Sequence, residues 1–539
     1  MSITEDKFHV ILIGSGIGAL SCASILAQLE KKKVLVLERH FKIGGFTHTF
    51  KRPGNYEWDV GLHYIGEMQK RHIFRKIFDF ATQNKVKWNR MLNKYDVFVY
   101  PDLKFHARAG KENFKQDLIA QFPKEKEAIK KYIKDVRRAV YWFYRYCVTR
   151  TLPPWLSPIS QLLLKPGSDL ALMTTEGYLN NKFRDPKLKA ILASQWGTLG
   201  LPPSKSVFSI HALVVNHYIN GAYYPVGGAK VIADSIIPVI ESNGGKLLVN
   251  HEVKDILVQD GKATGVRVVH KKGKKLIEKH YSADIIISGI GANATYNRLI
   301  PQGTHIPFRE ECRKISKGIS CVTLYLGLKK SPQTLGLHGE NYWLYESLDH
   351  EKNFSERNKL IQGHVGHVYL SFPSLKNPNA KAHTAEIITF LDEEPFKQWA
   401  DQPWKNRDHA YEKLKERISE SLIDFTENHI RGFKELIDYK ELATPLTTVS
   451  MTGHEKGYIY GMPVTPERYK QKWVGARTPI KNLYLTGVDT LVHGVVGGML
   501  GGALTAGIVM GIPIGILKIL RNATKGHNHR INSAVASLA

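Results

Sequence analysis

The chain has 539 residues, 43% hydrophobic and 23% charged, a globular composition with enough apolar mass for two or more domains. Four cysteines, Cys22, Cys147, Cys312 and Cys321, are scattered without a CxxC pair, which argues against a disulfide framework or a zinc site. The net charge of +27 attracts polyanions, either nucleic acid or an anionic bilayer; without a zinc finger, RNP motif or heptad run, specific nucleic-acid recognition is not expected.

The first predicted elements lie in "HVILIGSGIGALSCASILAQLEKKKVLVLERHFKIGG", His9 to Gly45. A signal peptide is not expected, because Glu5 and Asp6 precede the apolar run and Gly14, Gly16 and Gly18 interrupt it. Phe8–Ile13 reads as a short buried strand. Leu20, Ala23, Leu26 and Ala27 have helical spacing, and "KVLVLE" is a second strand ending at Glu38. In such a βαβ unit Gly14 permits a tight turn and Gly16 lets the backbone approach a pyrophosphate. Ala19 replaces a third glycine and keeps helix and strand close. The N–H groups that open the helix, at Ile17 and Gly18, face the phosphate, and Glu38 accepts from ribose hydroxyls with Arg39 beside it.

"KIGGFTHTF" adds Gly44 and Gly45, and "GNYEWDVGLHYIGE" adds Asp59 and Gly61. With these the sequence resembles the FAD-dependent amine oxidase and phytoene desaturase superfamily, where a second Gly-Gly and a later D-x-G lie close to the flavin. The resemblance implies FAD as cofactor, held in part by these four residues. It also sets Val253 of "KLLVNHEVKDILVQDGKATGVRV" against the adenine, and brings the strand "ADIIISGIGA" back to the cofactor. In "NLYLTGVDTLVHGVVGGMLGGALTAG", a strand at Leu483–Thr486 leads into Gly487, Asp489 and a glycine-rich helix start with Gly497 and Gly498. There the family pattern puts Asp489 at the ribityl–phosphate region and aims the helix N-terminus at the flavin ring, where its dipole stabilises negative charge.

"DVGLHYIGEM" and "HALVVNHYINGAYYPVGGA" resemble the retinol saturase and carotenoid isomerase branch. That implies hydride exchange between FAD and a carbon–carbon double bond of a retinoid, carotenoid or other isoprenoid, in the saturase direction. Desaturation or isomerisation on the same scaffold is the alternative enzyme. A non-catalytic FAD-containing lipid carrier or membrane adaptor is the alternative of another class. No second dinucleotide motif is present, so NAD(P)H or a protein would donate electrons transiently.

Four residues are candidates for proton chemistry, each with a plainer alternative. His63 has a suitable intrinsic pKa, or it only shapes the pocket. Glu67 orients His63 or is itself the acid, against a cap or surface charge. His217 lines the polyene slot or, like His211, is a core histidine; six apart, the two do not share a helix face, so no metal site is expected. His493 is a proton donor or a helix cap. For Asp59 and Asp489 the alternative to cofactor binding is turn chemistry. Tyr223 and Tyr224 wall the pocket or fill core.

The predicted architecture is an α/β FAD-binding domain of glutathione reductase-like Rossmann type, discontinuous in sequence, plus an α+β substrate domain. The first takes 1–105, 222–300 and 480–511. The second takes 106–221 and 301–479, and 512–539 is a basic apolar tail. Two stretches suggest a bilayer: Lys130–Lys165, where basic and aromatic residues alternate, and the charge-free run Gly494–Leu517. The first could equally be a domain helix, and Pro513 breaks the second, so surface anchoring is expected rather than a span. The expected location is peripheral, on the cytoplasmic side of a membrane.

Overall fold

The computed structural model describes residues 8–524, apart from 274 and 512. The chain opens with strand Phe8–Ile13 (β1), helix Ile17–Glu30 (α1) and strand Val34–Leu37 (β2). β1 is apolar on both faces because both are covered. Val10 and Leu12 pack with the helices, while Ile11 and Ile13 pack with a three-stranded meander. Such a strand reads as a continuous hydrophobic run.

Five strands form a parallel sheet in the order Lys246–Leu248, β2, β1, Lys275–Ser288, Leu483–Leu485. Lys275–Ser288 belongs to two layers. Its last residues lie in this sheet, and its first pair antiparallel with Lys262–Lys272, which pairs with His251–Gln259. Helices α1, Lys230–Glu241 and Gly494–Val509 cover the opposite face.

The glycines of Gly494–Val509 allow that helix to lie directly on α1. A Cβ at Gly502 would come 2.1 Å from Ser21 Oγ and 2.3 Å from the Gly18 carbonyl oxygen; one at Gly18 would come 2.4 Å from Gly487 Cα. Small residues in Gly494–Val509 therefore serve close helix pairing inside the domain.

A second seven-stranded sheet runs Ile437–Ala443, Cys321–Leu328, His383–Phe390, His367–Ser371, Asn341–Tyr345, Lys94–Tyr100, Leu103–Arg108. The expected boundary at 105 falls inside the last of these strands, Leu103–Arg108, which pairs with Lys94–Tyr100 in this sheet. A buried strand has the same sequence pattern in either sheet.

The basic–aromatic stretch is largely a core helix, Lys126–Thr151, which buries Tyr132, Trp142, Phe143 and Tyr146. Of the presumed tail, 525–539 lies outside the described residues. Residues 514–524 are helical and dock on the Rossmann domain: Ile519 and Ala523 are buried, and Lys518 Nζ meets Glu30 at 2.6 Å. Among the described residues no helix is long and apolar enough to cross a membrane.

Candidate active site

One cavity of about 1150 Å³ starts at the turn after β1 and continues between the two sheets. It exceeds an ordinary small-molecule pocket of ~300–1,000 Å³, so it has room for a large cofactor and a second ligand. Its first end is built by the opening βαβ unit. Gly14 turns the chain at φ +86, and Gly16 is the N-cap of α1, with no side-chain cap. A Cβ on Gly16 would meet nothing within 4 Å, so the space before the helix is open. The first N–H groups of α1 have no intrahelical acceptor and face an anion-binding position.

Glu38 is pinned beside this loop. Its carboxylate accepts from Ser15 N (2.9 Å), Ser15 Oγ (2.6 Å) and His40 N (2.7 Å). Ile17, Gly18, Arg39, Gly44, Gly45 and Val253 share this part of the wall. Further along, Gly61, Gly487, Asp489, Gly497 and Gly498 line it. Helix Gly494–Val509 begins here too, again without a side-chain cap. Two uncapped helix N-termini therefore face one cavity, with a carboxylate at one end. That donor set fits FAD: pyrophosphate at α1, ribose at Glu38, and a flavin ring whose reduced charge the second helix favours.

Two predicted cofactor residues are placed elsewhere. Ala19 is buried on α1 beneath Gly289, where a Cβ would come 3.0 Å from its own. Asp59 is not in the cavity wall. Its carboxylate accepts from Ala229 N (2.6 Å) and the Tyr224 hydroxyl, so it ties the Tyr223–Tyr224 strand to the start of helix Lys230–Glu241. Burial, aided by the negative charge of Glu386, pushes its carboxyl up to about 7. Asp489 does line the cavity, yet it accepts from Ala292 N and Met462 N, both at 2.7 Å, and so joins three loops.

All four proton-chemistry candidates reach the cavity, in different states. Glu67, expected to orient His63, instead holds His217: its Oε2 lies 2.8 Å from His217 Nδ1. The other ring nitrogen, Nε2, accepts from Gly66 N at 2.8 Å. Asn216 Nδ2 also donates to Glu67 at 2.9 Å, so both ring nitrogens of His217 and both oxygens of Glu67 are engaged. His493 donates from Nε2 to the Met462 carbonyl (2.7 Å). Burial, with Arg468 beside it, lowers its pKa to about 4 and keeps it neutral. His211 is a core histidine bonded to the Tyr132 hydroxyl at 2.9 Å and pushed down to about 4 by burial.

His63 differs. Its Nδ1 lies 2.7 Å from Oε2 of Glu386, a carboxylate with no exposure. The two approach closely but off the hydrogen-bond direction, and neither Glu386 oxygen has an aligned donor. Lys376 Nζ donates to the His63 carbonyl (3.0 Å) and to Ser371 Oγ (2.7 Å), and also reaches Asn341 Oδ1. Burial lowers this ammonium to about 8. Sheet register assembles the row: Tyr325 opposes Glu386, Glu386 opposes Ser371, and Asn341 opposes Asp96. Asp96 accepts from Asn341 (3.0 Å), Tyr64 (3.0 Å) and Gln195 (2.7 Å), yet burial still raises it to about 7.

The sequence reading missed Glu386, Lys376 and Asp96. The available signal was a single charge inside an otherwise apolar strand, as in "HTAEIITF" and "KYDVFVY".

The remaining wall is the aromatic face of the second sheet, including Tyr325, Trp343, His367, Tyr369 and Phe390. A dry, aromatic slot suits a long apolar ligand, with His63 the titratable group on its floor.

Comparisons with known proteins give the same picture. A family model described as flavin containing amine oxidoreductase matches residues 20–509. An all-trans-retinol 13,14-reductase of Danio rerio is 32% identical over 522 residues, which cover 92% of this chain and 84% of that protein. A chloroplastic prolycopene isomerase of Arabidopsis thaliana is 26% identical, covering 85% of this chain and 75% of the other. A triple mutant of putrescine oxidase superposes with a TM-score of 0.61 at 13% identity, over 94% of this chain and 99% of that one, a likeness of fold.

Proposed function

The chain belongs to the flavin-containing amine oxidoreductase family, so its cofactor is a flavin; on that footing we propose that it binds FAD and reduces a carbon–carbon double bond of a polyene isoprenoid lipid. The observation that carries this reading is the single cavity joining the phosphate-binding turn to an aromatic slot with His63 in its wall. The named activity of the 32% identical relative supports reduction over desaturation or isomerisation.

Saturating a double bond adds one hydride and one proton. Bound flavin supplies two-electron chemistry; the residues of this chain supply position and the proton. The aromatic sheet face excludes water and holds the polyene. Nδ1 of His63 faces Glu386, leaving Nε2 to deliver the proton to the carbon beside the one that accepts hydride. Lys376 fixes the His63 backbone through its carbonyl. His217, its ring nitrogens bonded to Glu67 and Gly66, shapes the wall, as does His493, bonded through Nε2 to the Met462 carbonyl and held neutral by burial.

Electrons come from NAD(P)H or a protein donor acting transiently. The polyene enters from a bilayer that the protein touches peripherally. Support for that contact is an exposed apolar patch, Trp155 (76%), Leu162 (70%), Val148 (57%) and Ile159 (49%), on a chain of net charge +27. Flotation with anionic vesicles should bring the protein up, and Trp155→Ser with Leu162→Ser should release it.

The deciding experiment is anaerobic photoreduction of the holoenzyme, then mixing with polyenes under argon. Reoxidation of the flavin with stoichiometric dihydro product is expected. A flavin that stays reduced with every polyene favours the non-catalytic carrier instead.

A further inference from the structure

Arg468 is the only buried arginine among the described residues, and it has no exposure at all. It belongs to the short helix Pro466–Lys470 and packs behind the loop that leads from Gly487 into helix Gly494–Val509. Its guanidinium donates to backbone carbonyls: Val488 at 2.8 Å, Leu491 at 3.2 Å, and Met462. Nε has no partner, and among the described residues the side chain forms no ion pair with a carboxylate. The neighbouring Tyr469 hydroxyl donates to the same Leu491 carbonyl at 3.1 Å, so a neutral donor can also tie this loop. Val488, Leu491, Val492 and His493 line the cavity, whereas Arg468 does not. One layer of backbone therefore separates the charge from the cavity, at the place where helix Gly494–Val509 presents its positive end.

A guanidinium does not shed its proton in a protein interior, and a buried charge without a counter-ion is costly. A helix N-terminus on the same side adds to that cost, because both charges have one sign. Asp489 does not neutralise them. Its two oxygens accept from Met462 N and Ala292 N, both at 2.7 Å. Both charges reach the His493 ring, where Arg468 outweighs Asp489. The field at this end of the cavity is thus positive, and it favours a group that becomes negative there. A flavin is such a group: on reduction it takes up two electrons and one proton and carries one negative charge more than before.

We propose that Arg468 is a positioning residue for the redox chemistry: acting through the Val488–His493 loop, its charge holds the reduced flavin as an anion and raises the reduction potential of the bound cofactor. This rests on the reading of the cavity as the flavin site. Because the charge stands behind the wall, it acts on the electron inventory of the site without touching the substrate.

The test is the midpoint potential of the bound flavin at pH 7, read against a reference dye during slow anaerobic reduction by xanthine and xanthine oxidase. Holoenzyme with Arg468 is compared with Arg468→Met and Arg468→Lys. Methionine keeps the length and removes the charge; lysine restores the charge but not the planar fork that meets the carbonyls. At the potential that half-reduces the unmodified protein, Arg468→Met should hold at least tenfold less reduced flavin relative to oxidised, a fall of ~30 mV for a two-electron couple. Arg468→Lys should stay within threefold. Equal falls in both variants would assign Arg468 to tying the loop alone, and no fall in either would show that its charge does not reach the ring; each result overturns the proposal. Should neither variant fold, the unmodified holoenzyme decides: its flavin should be reduced at a higher potential than free FAD in the same cell, and a lower one overturns the proposal. A yellow protein that gives the contrary results loses this inference only. A folded protein that takes up no flavin loses the cofactor reading, and this inference with it.

Discussion

Asp59→Asn separates the two roles open to this residue, cofactor ligand and buried tie. The asparagine is isosteric. Its oxygen can accept from Ala229 N, and its amide can donate to Tyr224 Oη once that hydroxyl turns from donor to acceptor. Only the titration is removed. Asp59 has a folded pKa of about 7 against an ordinary value of 3.8, so between those values the folded protein binds the proton that the unfolded chain releases. Its stabilising contribution is complete below pH ~3.8 and is lost as pH rises through about 7. About three units at ~1.4 kcal/mol each give roughly 4 kcal/mol. The variant should match the parent in urea midpoint near pH 4, then gain on it progressively, and be more stable by a few kcal/mol at pH 8. The paired difference is the quantity to read, since a chain of this size need not unfold in two states. Flavin content should not change, because the carboxyl is outside the cavity wall. Parallel stability curves from pH 4 to 8 would refute the buried-acid argument; a colourless variant would return Asp59 to the cofactor.

Glu38→Ala removes the acceptor of Ser15 and His40 as well as the proposed ribose partner, so flavin should wash out on gel filtration with at least tenfold weaker affinity; full retention would count against the site. His63→Gln should slow flavin reoxidation by polyene by ~10²–10⁴-fold with binding intact, and Glu386→Gln, which removes the charge facing Nδ1, should slow the same step less; unchanged rates in both would remove the proton role. Gly502→Ala forces a methyl into the α1 contact and should destabilise by ~1–3 kcal/mol or more, seen as a lower thermal midpoint; an unchanged midpoint would mean the helices are not packed so closely.

The opening βαβ unit was legible because its signals are local. Gly14, Gly16, Ala19 and Glu38 are set by a turn, a helix start and a strand end within 25 residues, and the fold needs each where it stands. The glycine helix was half legible. Its position at the cavity follows from the preceding strand, but Gly498, Gly501 and Gly502 are required by contacts with Ile17, Gly487 and Ser21, which come from elsewhere in the chain. A stripe of small residues says that something approaches closely; it does not say whether that is a bilayer partner or α1.

The charge cluster was illegible for a different reason. His63 and Glu386 are 323 positions apart, and what brings them within 2.7 Å is the order of strands in the second sheet. Glu67, four residues from His63, was the natural guess for its partner, yet its φ of +58 turns it toward His217 on helix Phe208–Tyr218. Local spacing proposes neighbours along the chain, whereas sheet register supplies neighbours across it, and acid–base chemistry depends on the second kind. The same register sets the buried acids Asp59 and Asp96, both raised by burial to about 7, near Lys376, so this layer keeps protons that exposed carboxyls release well below neutral pH.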